Sequence, residues 1–273
     1  MKIYTIFVLA HLLADFLFQP NCLIKLKDKN HNKHKIWNKG IFWHSLIHLA
    51  MTLLLLFVYG ELRIETLLAA LCISVCHYFV DYIKSLVKKN EILMFILDQL
   101  VHYVIIYLIL LAFQAVTPIV ELPAYLVAFG RKAFPISLRS KSLLVGIALI
   151  CLIWVSGQFI KIVLDKFKPN PFDAKLSYPI SRTTSPTIKQ KRAPDKLEPS
   201  TGLYIGWAER ALIGIFMLLK IYTGLTLLAT LKTLARFKQL ENRANAEYFI
   251  LGTLLSILLG VSFGAMMYWI VRY

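Results

Sequence analysis

Long runs of apolar residues, separated by short polar segments, dominate the hydropathy pattern of this chain. Several runs approach twenty residues, about the length that a helix needs to cross ~30 Å of hydrocarbon. We expect helices in these runs, because an open strand would leave backbone N–H and C=O groups without partners in lipid. The pattern therefore predicts an all-α fold, a polytopic transmembrane helical bundle of about six to seven hydrophobic helices.

Six spans follow directly from the apolar runs. The first run is not preceded by a charged segment or followed by a small-residue cleavage site, so we expect it to be retained as a span. The predicted spans are residues 3–20, 41–59, 64–84, 92–116, 142–164 and 247–271.

The apolar stretch at 203–231 has two interpretations. As a single tilted span it carries Lys220 in its middle and places Lys232 and Arg236 on the outer side of the membrane, against the positive-inside rule. As a re-entrant helical hairpin of two half-length helices near 203–236, it keeps these basic residues on the cytoplasmic side. The sequence leaves both interpretations open.

Shifts in composition divide the chain into four parts. Residues 1–116 form a four-helix membrane core, and residues 117–164 an external connection followed by the fifth span. Residues 165–201 are basic, rich in proline and without apolar periodicity, which is typical of a cytoplasmic linker. Residues 202–273 hold the C-terminal membrane helices.

Composition and charge agree with a membrane location. The chain is 58% hydrophobic and 17% charged, whereas soluble domains have about 25% charged residues. Lysines crowd the loops after the first and third spans, and the positive-inside rule makes these loops cytoplasmic. We therefore expect a multi-pass protein of the bacterial inner (cytoplasmic) membrane. The net charge of +16 fits contact with anionic lipid, and nucleic-acid binding is not expected because no binding module accompanies the charge.

Each of the first four spans carries two histidine or aspartate residues at i,i+4 spacing, which places both on one helical face. The chain direction alternates, yet one member of each pair falls roughly 7–14 Å from the cytoplasmic end of its helix at ~1.5 Å per residue; these members are Asp15, His44, His77 and Asp98. We expect the pairs to meet in one polar site. The pairs are His11 with Asp15, His44 with His48, His77 with Asp81, and Asp98 with His102.

These residue types favour a divalent metal. Ionisable groups in membrane spans usually face a bundle interior or a watery cavity and mark a functional site. Imidazole suits Zn or Fe and carboxylate adds ligands for Mn or Fe. The set exceeds the needs of one tetrahedral zinc, so either two metals bind or some members are outer partners that orient the ligands. Interhelical hydrogen bonds that fasten the bundle, and a proton or cation pathway, are the alternatives.

The expected direct ligands are His44, His48, His77 and Asp81. The remaining four residues are expected to complete a second site or an outer shell and to supply acid–base groups. They are His11, Asp15, Asp98 and His102.

A few polar residues outside the pairs are candidates for contact with a substrate or a lipid head group. Gln19, Asn21 and Gln99 lie near the same cytoplasmic mouth, where interfacial hydrogen bonding is the alternative role. Glu209 and Arg210 begin the sixth hydrophobic stretch. They could form an ion pair or hold a phosphate, and the alternative is an arginine that extends to the interface.

Four motifs in the first part of the chain resemble a bacterial membrane family catalogued as domain of unknown function 3307. They occur in order over about residues 3–110: HLLADFLFQPNCLIKLK, HSLIH, CHYFVDYIKSL and LDQLVHYVIIYL. Three later strings are similar to the C-terminal part of longer members: GLYIGWAERALIG, KTLARFK and AEYFILGTLLSILLG. The HxxxD pairs are also similar to those of membrane-bound metal-dependent hydrolases. That likeness implies that all eight residues of the four pairs form the metal-binding set.

The leading hypothesis is an integral-membrane hydrolase that uses one or two divalent metals to activate water. Because the site opens near the cytoplasmic head-group region, a membrane lipid or a lipid-linked phosphoester or amide is the expected substrate. A transporter or channel for protons or divalent cations is the alternative, although the polar residues lie in one leaflet. A membrane scaffold or sensor that docks through residues 165–201 is a third hypothesis.

Overall fold

The computed structural model describes residues 2–20, 22–23, 26, 38–87, 90–116, 137–167, 200–237, 240 and 243–272. These residues form helices and connecting turns, with no strand among them. Three predicted segments lie wholly or mainly outside the described residues. They are the lysine-rich loop after the first span, the external connection that follows residue 116, and the linker at 165–201.

Eight helices follow one another along the described residues. Helix α1 is Lys2–Leu12, continued by a π-helical turn at Leu13–Leu17, and α5 spans Leu138–Lys166 with a π-helical turn at Cys151–Val155. The others are α2 (Lys39–Val58), α3 (Ile64–Leu86), α4 (Glu91–Ala112), α6 (Ser200–Leu219), α7 (Tyr222–Ala235) and α8 (Arg243–Arg272).

Asparagine side chains begin two of the helices that carry the polar pairs. The Asn38 side chain accepts hydrogen bonds from the backbone N–H groups of Gly40 and Ile41, at 2.9 and 3.2 Å, and begins α2. The Asn90 side chain accepts from the backbone N–H of Ile92 at 3.2 Å and begins α4. Such caps satisfy backbone donors that have no partner in a first helical turn. These caps fix the residues at which α2 and α4 begin. They therefore also fix the depth of the polar residues that follow in the same two helices.

Within the described residues, six helices are long and apolar enough to cross a membrane. They are α2, α3, α4, α5, residues Gly202–Leu219 of α6 and residues Asn245–Arg272 of α8. Large apolar side chains, such as those of Phe57, Leu108 and Leu254, are exposed on their outer faces. Soluble monomers rarely expose apolar surface of this extent. The chain is therefore a multi-pass helical membrane protein, as predicted, and the spans predicted for α2 to α5 and α8 are confirmed to within a few residues.

Helix α1 is shorter than the span predicted at 3–20. It has 11 α-helical residues followed by 5 in the π-helical turn. Ile6, Ala10 and Ala14 are fully buried, because α1 packs against α2, α4 and the first part of α5. A helix enclosed by its neighbours has little contact with lipid, so its length need not match the hydrocarbon thickness.

The helices fall into two compact units, Met1–Trp154 with Met266–Tyr273, and Val155–Ala265. The first unit contains α1 to α4 and the first part of α5. The second contains the last turns of α5, the helices α6 and α7, and most of α8.

In the second unit, residues 203–231 form two helices instead of one. The chain breaks at Lys220, whose φ of 60° lies in the left-handed region that is uncommon for side chains other than glycine. Helices α6 and α7 run antiparallel, since Lys232 Nζ donates to Glu209 Oε2 at 2.6 Å and Gly224 packs against the ring of Phe216. A helical hairpin is thus present, and a single span over 203–231 is wrong because α6 ends at Leu219. With 20 residues, α6 is longer than the predicted half-length helix, whereas α7 has 14.

Helices α6 and α8 approach closely at two glycines spaced one turn apart. A Cβ at Gly260 would lie 2.9 Å from Cγ2 of Ile213, and a Cβ at Gly264 would lie 2.9 Å from Cβ of Met217. Small residues at this spacing allow membrane helices to approach until their backbones are nearly in contact. The contact between α6 and α8 therefore depends on glycine at both positions.

The two ends of the α1–α4 bundle differ in their charged residues. At one end, Lys2 Nζ donates to Glu61 Oε1 at 2.7 Å and Arg63 Nη2 donates to Glu61 Oε2 at 3.0 Å. We call this the Glu61 end, and we call the opposite end, where α2 begins at Lys39 and α3 carries Lys84, the lysine end. The start of α1 and the turn between α2 and α3 thus share one end, as the predicted alternation of the spans requires.

Acidification is expected to weaken the contact at the Glu61 end. The hydrogen bond from Lys2 holds the pKa of the Glu61 carboxyl below its usual value of 4.5. A carboxyl with a lowered folded-state pKa contributes stability above its unfolded-state pKa, and that contribution is lost as the pH falls through the folded-state pKa. We therefore expect the melting temperature of the wild-type chain in detergent to fall more steeply below pH 4.5 than that of Glu61→Gln.

The control for this prediction is Glu65→Gln, because Glu65 is an exposed carboxylate in the first turn of α3. Its melting curve should follow that of the wild type at each pH. An identical loss of stability in the wild type and in Glu61→Gln would show that the ion pair with Lys2 contributes nothing.

Candidate metal centre

The four polar pairs of the first unit lie together inside the α1–α4 bundle. All five histidines are at most 5% exposed, so the helices and not solvent surround them. The closest ring nitrogen and partner atom are 3.4 Å apart in the pair of His11 and Asp15, and 3.2 Å apart in the pair of His44 and His48. The same distance is 3.9 Å for His77 and Asp81, and 3.5 Å for His102 and Asp98.

Helix direction arranges these residues in two layers. The outer layer, nearer the lysine end, contains three aspartates and one histidine, and the inner layer lies one helical turn deeper and contains one histidine from each helix. The outer layer is Asp15, His44, Asp81 and Asp98, and the inner layer is His11, His48, His77 and His102.

Asp15 lies in the π-helical turn of α1. The backbone N–H of Phe18 donates to the carbonyl of Leu13 at 2.9 Å, which is the i to i+5 bond of a π-helix. Such turns are rare and occur frequently at functional sites. The Asp15 carboxylate contacts both α2 and α4 from this turn: Oδ1 faces His44 and His48, and Oδ2 accepts from Gln99 Nε2 at 3.1 Å.

Three atoms around Asp15 form a nearly equilateral triangle. Asp15 Oδ1 is 2.9 Å from His44 Nε2 and 3.0 Å from His48 Nε2, and the two nitrogens are 3.2 Å apart. Ligand atoms on a tetrahedral ion with bonds of ~2.0–2.1 Å are about 3.3 Å apart. Hydrogen bonds satisfy this triangle poorly, because a neutral imidazole has one donor and one acceptor nitrogen. The donor set and its spacing fit a cation held between the three atoms.

His77 extends the triangle to a group of four. One ligand atom from each of Asp15, His44, His48 and His77 lies within 4.8 Å of all the others. The Nε2 atom of His77 is 4.0 Å from Asp15 Oδ1 and 3.9 Å from Asp81 Oδ2. Three imidazoles with one carboxylate are a donor set that suits zinc and other first-row divalent ions. The geometry thus favours Asp15, more than Asp81, as the carboxylate beside His44 and His48.

Two further groups in the cluster are linked to the first, because one of them shares His77 with it and the two share His102 with each other. One is His11 with His77 and His102, and the other is Asp81 with Asp98 and His102. The Nε2 atoms of His11, His77 and His102 have no hydrogen-bond partner among the described residues. Buried polar atoms without partners are uncommon and call for an explanation such as an ion or water.

Two residues on the rim of the cluster join it to the lysine end. Gln99, predicted as a head-group contact, donates to Asp15 and accepts from the Tyr103 hydroxyl at 3.3 Å. Lys84 Nζ donates to Asp98 Oδ2 at 2.6 Å. In the sequence, Lys84 ends the third predicted span and counts among the lysines of the following loop, and it was not predicted as part of the site. Its i+3 spacing from Asp81 would have placed it on the same helical face.

The other predicted contacts are at the end of α1 or in the second unit, or lie outside the described residues. Gln19 is half-buried just after α1, and Asn21 lies outside the described residues. In the second unit, Glu209 pairs with Lys232. Arg210 in that unit is 4% exposed, and its guanidinium lies close to two glycines. A Cβ added at Gly157 would lie 2.7 Å from Nη2 of Arg210, and a Cβ added at Gly206 would lie 3.2 Å from its Nη1.

A cavity of about 10 Å³ lies on the inner side of the histidine layer, which is room for about one water molecule. The four inner histidines border it, together with Thr52, Ser74 and apolar side chains. The two hydroxyls donate to the backbone carbonyls of His48 and Ser45. Further toward the Glu61 end, Ile6, Leu56 and Leu110 are 0% exposed and fill the bundle.

Fold and cluster together define a multi-pass helical membrane protein with buried histidine and aspartate groups that could bind a metal. The family model described as protein of unknown function (DUF3307) matches residues 3–128. This match confirms the resemblance seen in the motifs and includes all eight residues of the polar pairs. No curated protein and no solved structure matches the chain. The looser likeness to metal-dependent hydrolases has no counterpart among these comparisons.

Proposed function

We propose that the protein is a metal-dependent hydrolase of the bacterial inner membrane that acts on a lipid or lipid-linked substrate near the cytoplasmic face. The triangle of Asp15 Oδ1 with the Nε2 atoms of His44 and His48 carries the proposal, with edges of 2.9, 3.0 and 3.2 Å. These edges approach the ligand spacing around a small divalent ion, and the three groups come from two different helices.

The ion's direct ligands in this proposal are Asp15, His44, His48 and His77. The ion is Zn, Mn or Fe, since imidazole with carboxylate suits all three. Such an ion supplies Lewis acidity, which activates water for attack on an ester, amide or phosphoester. His11 and His102 lie beside the ligands with Nε2 atoms that have no partner in the described chain, so they are placed to take up and return a proton.

Charge balance supports a single divalent ion. The cluster holds the carboxylates of Asp15, Asp81 and Asp98 and one ammonium, that of Lys84. With neutral imidazoles these groups sum to a net charge of −2, because three negative charges face one positive charge. Unbalanced buried charge is costly inside a membrane protein. One divalent ion brings the sum to zero.

Access to the cluster supports a substrate in the head-group region. At the lysine end, the side chains of Asp15 and Lys84 are 13% and 42% exposed. The outer layer lies within the first turns from the helix ends, close to the depth at which the hydrocarbon core gives way to polar head groups. The polar part of a lipid can therefore approach the outer layer while its acyl chains remain beside the bundle.

A proton or divalent-cation pathway is the alternative function. A pathway needs polar positions on both sides of the membrane midplane. Ile6, Leu56 and Leu110 close the bundle beyond the inner histidines and are fully buried, which favours a site that opens at the lysine end alone.

Metal analysis of the purified protein tests the proposal. We expect near-stoichiometric Zn, Mn or Fe by elemental mass spectrometry of the detergent-purified wild type. The double variant His44→Ala, His48→Ala should lose the ion, because it removes two corners of the triangle. The matched control is His31→Ala, His34→Ala, which removes two histidines of the lysine-rich loop and should retain the ion. A wild type that contains no metal and that no divalent ion stabilises would contradict the proposal.

Turnover is tested with metal-loaded protein in vesicles of defined glycerophospholipids and of a lipid-linked diphosphate. Hydrolysis by the wild type and by the loop control, but not by His44→Ala, His48→Ala, is the expected result. Metal-loaded protein that hydrolyses none of these lipids and instead carries the ion into sealed vesicles would favour the transport alternative.

A further inference from the structure

A second group of ligand-type residues lies beside the proposed metal site. His102 Nε2 is 3.5 Å from Asp98 Oδ1 and 3.8 Å from Asp81 Oδ1. His102 is 3% exposed, and this nitrogen has no hydrogen-bond partner among the described residues. Two carboxylates and an imidazole in this arrangement offer ligands for a second cation.

Lys84 places a positive charge at this second group. It projects from α3 one turn beyond Asp81, and its Nζ lies 2.6 Å from Asp98 Oδ2 on α4. The same carboxylate thus faces His102 with one oxygen and the ammonium with the other. An ammonium at this distance repels a second divalent ion and occupies one of the oxygens that would bind it.

We propose that Lys84 supplies the second positive charge of the cluster, so that the centre holds one divalent ion and a second ion binds at Asp81, Asp98 and His102 only when this ammonium is removed. The inference rests on the proposed metal site. Two divalent ions together with Lys84 would bring five positive charges to three carboxylates, whereas one ion with Lys84 brings three. Lys84 is thus a positioning residue that sets the number of ions bound.

Metal titration of the full-length protein in detergent tests the inference. We expect the wild type to saturate at one Zn or Mn ion per chain and Lys84→Met to saturate at two. Lys84→Arg retains the charge and should saturate at one. The matched control is Lys232→Met, which breaks an ion pair of the same 2.6 Å length with Glu209 in the second unit and should also saturate at one.

Three results separate this inference from the proposed function. A wild type that binds two ions, or a folded Lys84→Met that binds only one, overturns the inference and leaves the metal site intact. A wild type that binds none overturns the proposed metal site itself. If Lys84→Met does not elute as a monodisperse protein, Lys84→Gln decides by the same criterion, because it removes the charge and keeps a hydrogen-bond donor.

Discussion

Replacing Asp15 by asparagine should abolish metal binding and turnover while leaving the protein folded. Asp15 Oδ1 touches the Nε2 atoms of both His44 and His48, and its Oδ2 accepts from Gln99. Asparagine keeps the shape of the side chain but removes the negative charge and one acceptor oxygen. Loss of a residue that only orients a metal ligand typically costs about 10–100-fold in affinity. We expect loss of a direct ligand to cost more than ~100-fold.

Calorimetric titration with Zn or Mn measures this loss, with gel filtration as the check on folding. The matched control is Glu247→Gln, the same carboxylate-to-amide change at an exposed position that pairs with Arg243. It should bind the ion like the wild type. Wild-type affinity in Asp15→Asn would exclude Asp15 as a ligand. Asp81 would then be the carboxylate to test, because its Oδ2 is 3.9 Å from the Nε2 atoms of His44 and His77.

The membrane helices were predictable because each long apolar run must satisfy its own backbone in lipid. Their ends were predicted to within a few residues from the apolar runs, and the structure shows the capping residues Asn38 and Asn90 at two of the starts. The length of α1 was not predictable, since apolar residues continue to Phe18 while the helix closes in a π-helical turn at Leu17. That α1 is enclosed by other helices is a property of the tertiary fold, which hydropathy along one run does not encode.

The polar cluster could be predicted in its membership but not in its contacts. The i,i+4 spacing placed two residues on one face of each helix, and their common depth brought the faces together. Which carboxylate meets which imidazole depends on the order in which the helices pack and on the π-helical turn that carries Asp15. For this reason Asp81 was expected among the direct ligands, whereas Asp15 makes the shorter contacts with His44.

For the C-terminal helices, too, some features could be predicted from the sequence and others only from the structure. Lys220 in mid-stretch left a break in the stretch at 203–231 open, and the structure has that break at Lys220. The pairing of Glu209 with Lys232 requires both helices of the hairpin to be placed, so neither sequence segment indicates it alone. Gly260 and Gly264 were not part of the sequence-based prediction, and the structure shows that α6 packs against α8 at these two glycines.

Replacing Gly260 and Gly264 together by leucine is expected to destabilise the packing of α6 against α8. At Gly264 the added Cβ would meet Cβ of Met217 at 2.9 Å, an atom fixed to the backbone, so the two helices must separate. Overpacking of this kind costs about 1–3 kcal/mol per site. We expect a lower melting temperature for the double variant in detergent, with a smaller decrease for each single variant.

Ser262→Leu is the control for this destabilisation, because Ser262 lies between the two glycines on an exposed face of α8. It adds the same side chain to the same helix without meeting α6, so its melting temperature should stay near that of the wild type. Equal melting temperatures for the double variant and the wild type would show that α6 and α8 do not touch at these glycines. Equal decreases in Ser262→Leu and the double variant would instead assign the effect to leucine in α8 and not to the helix contact.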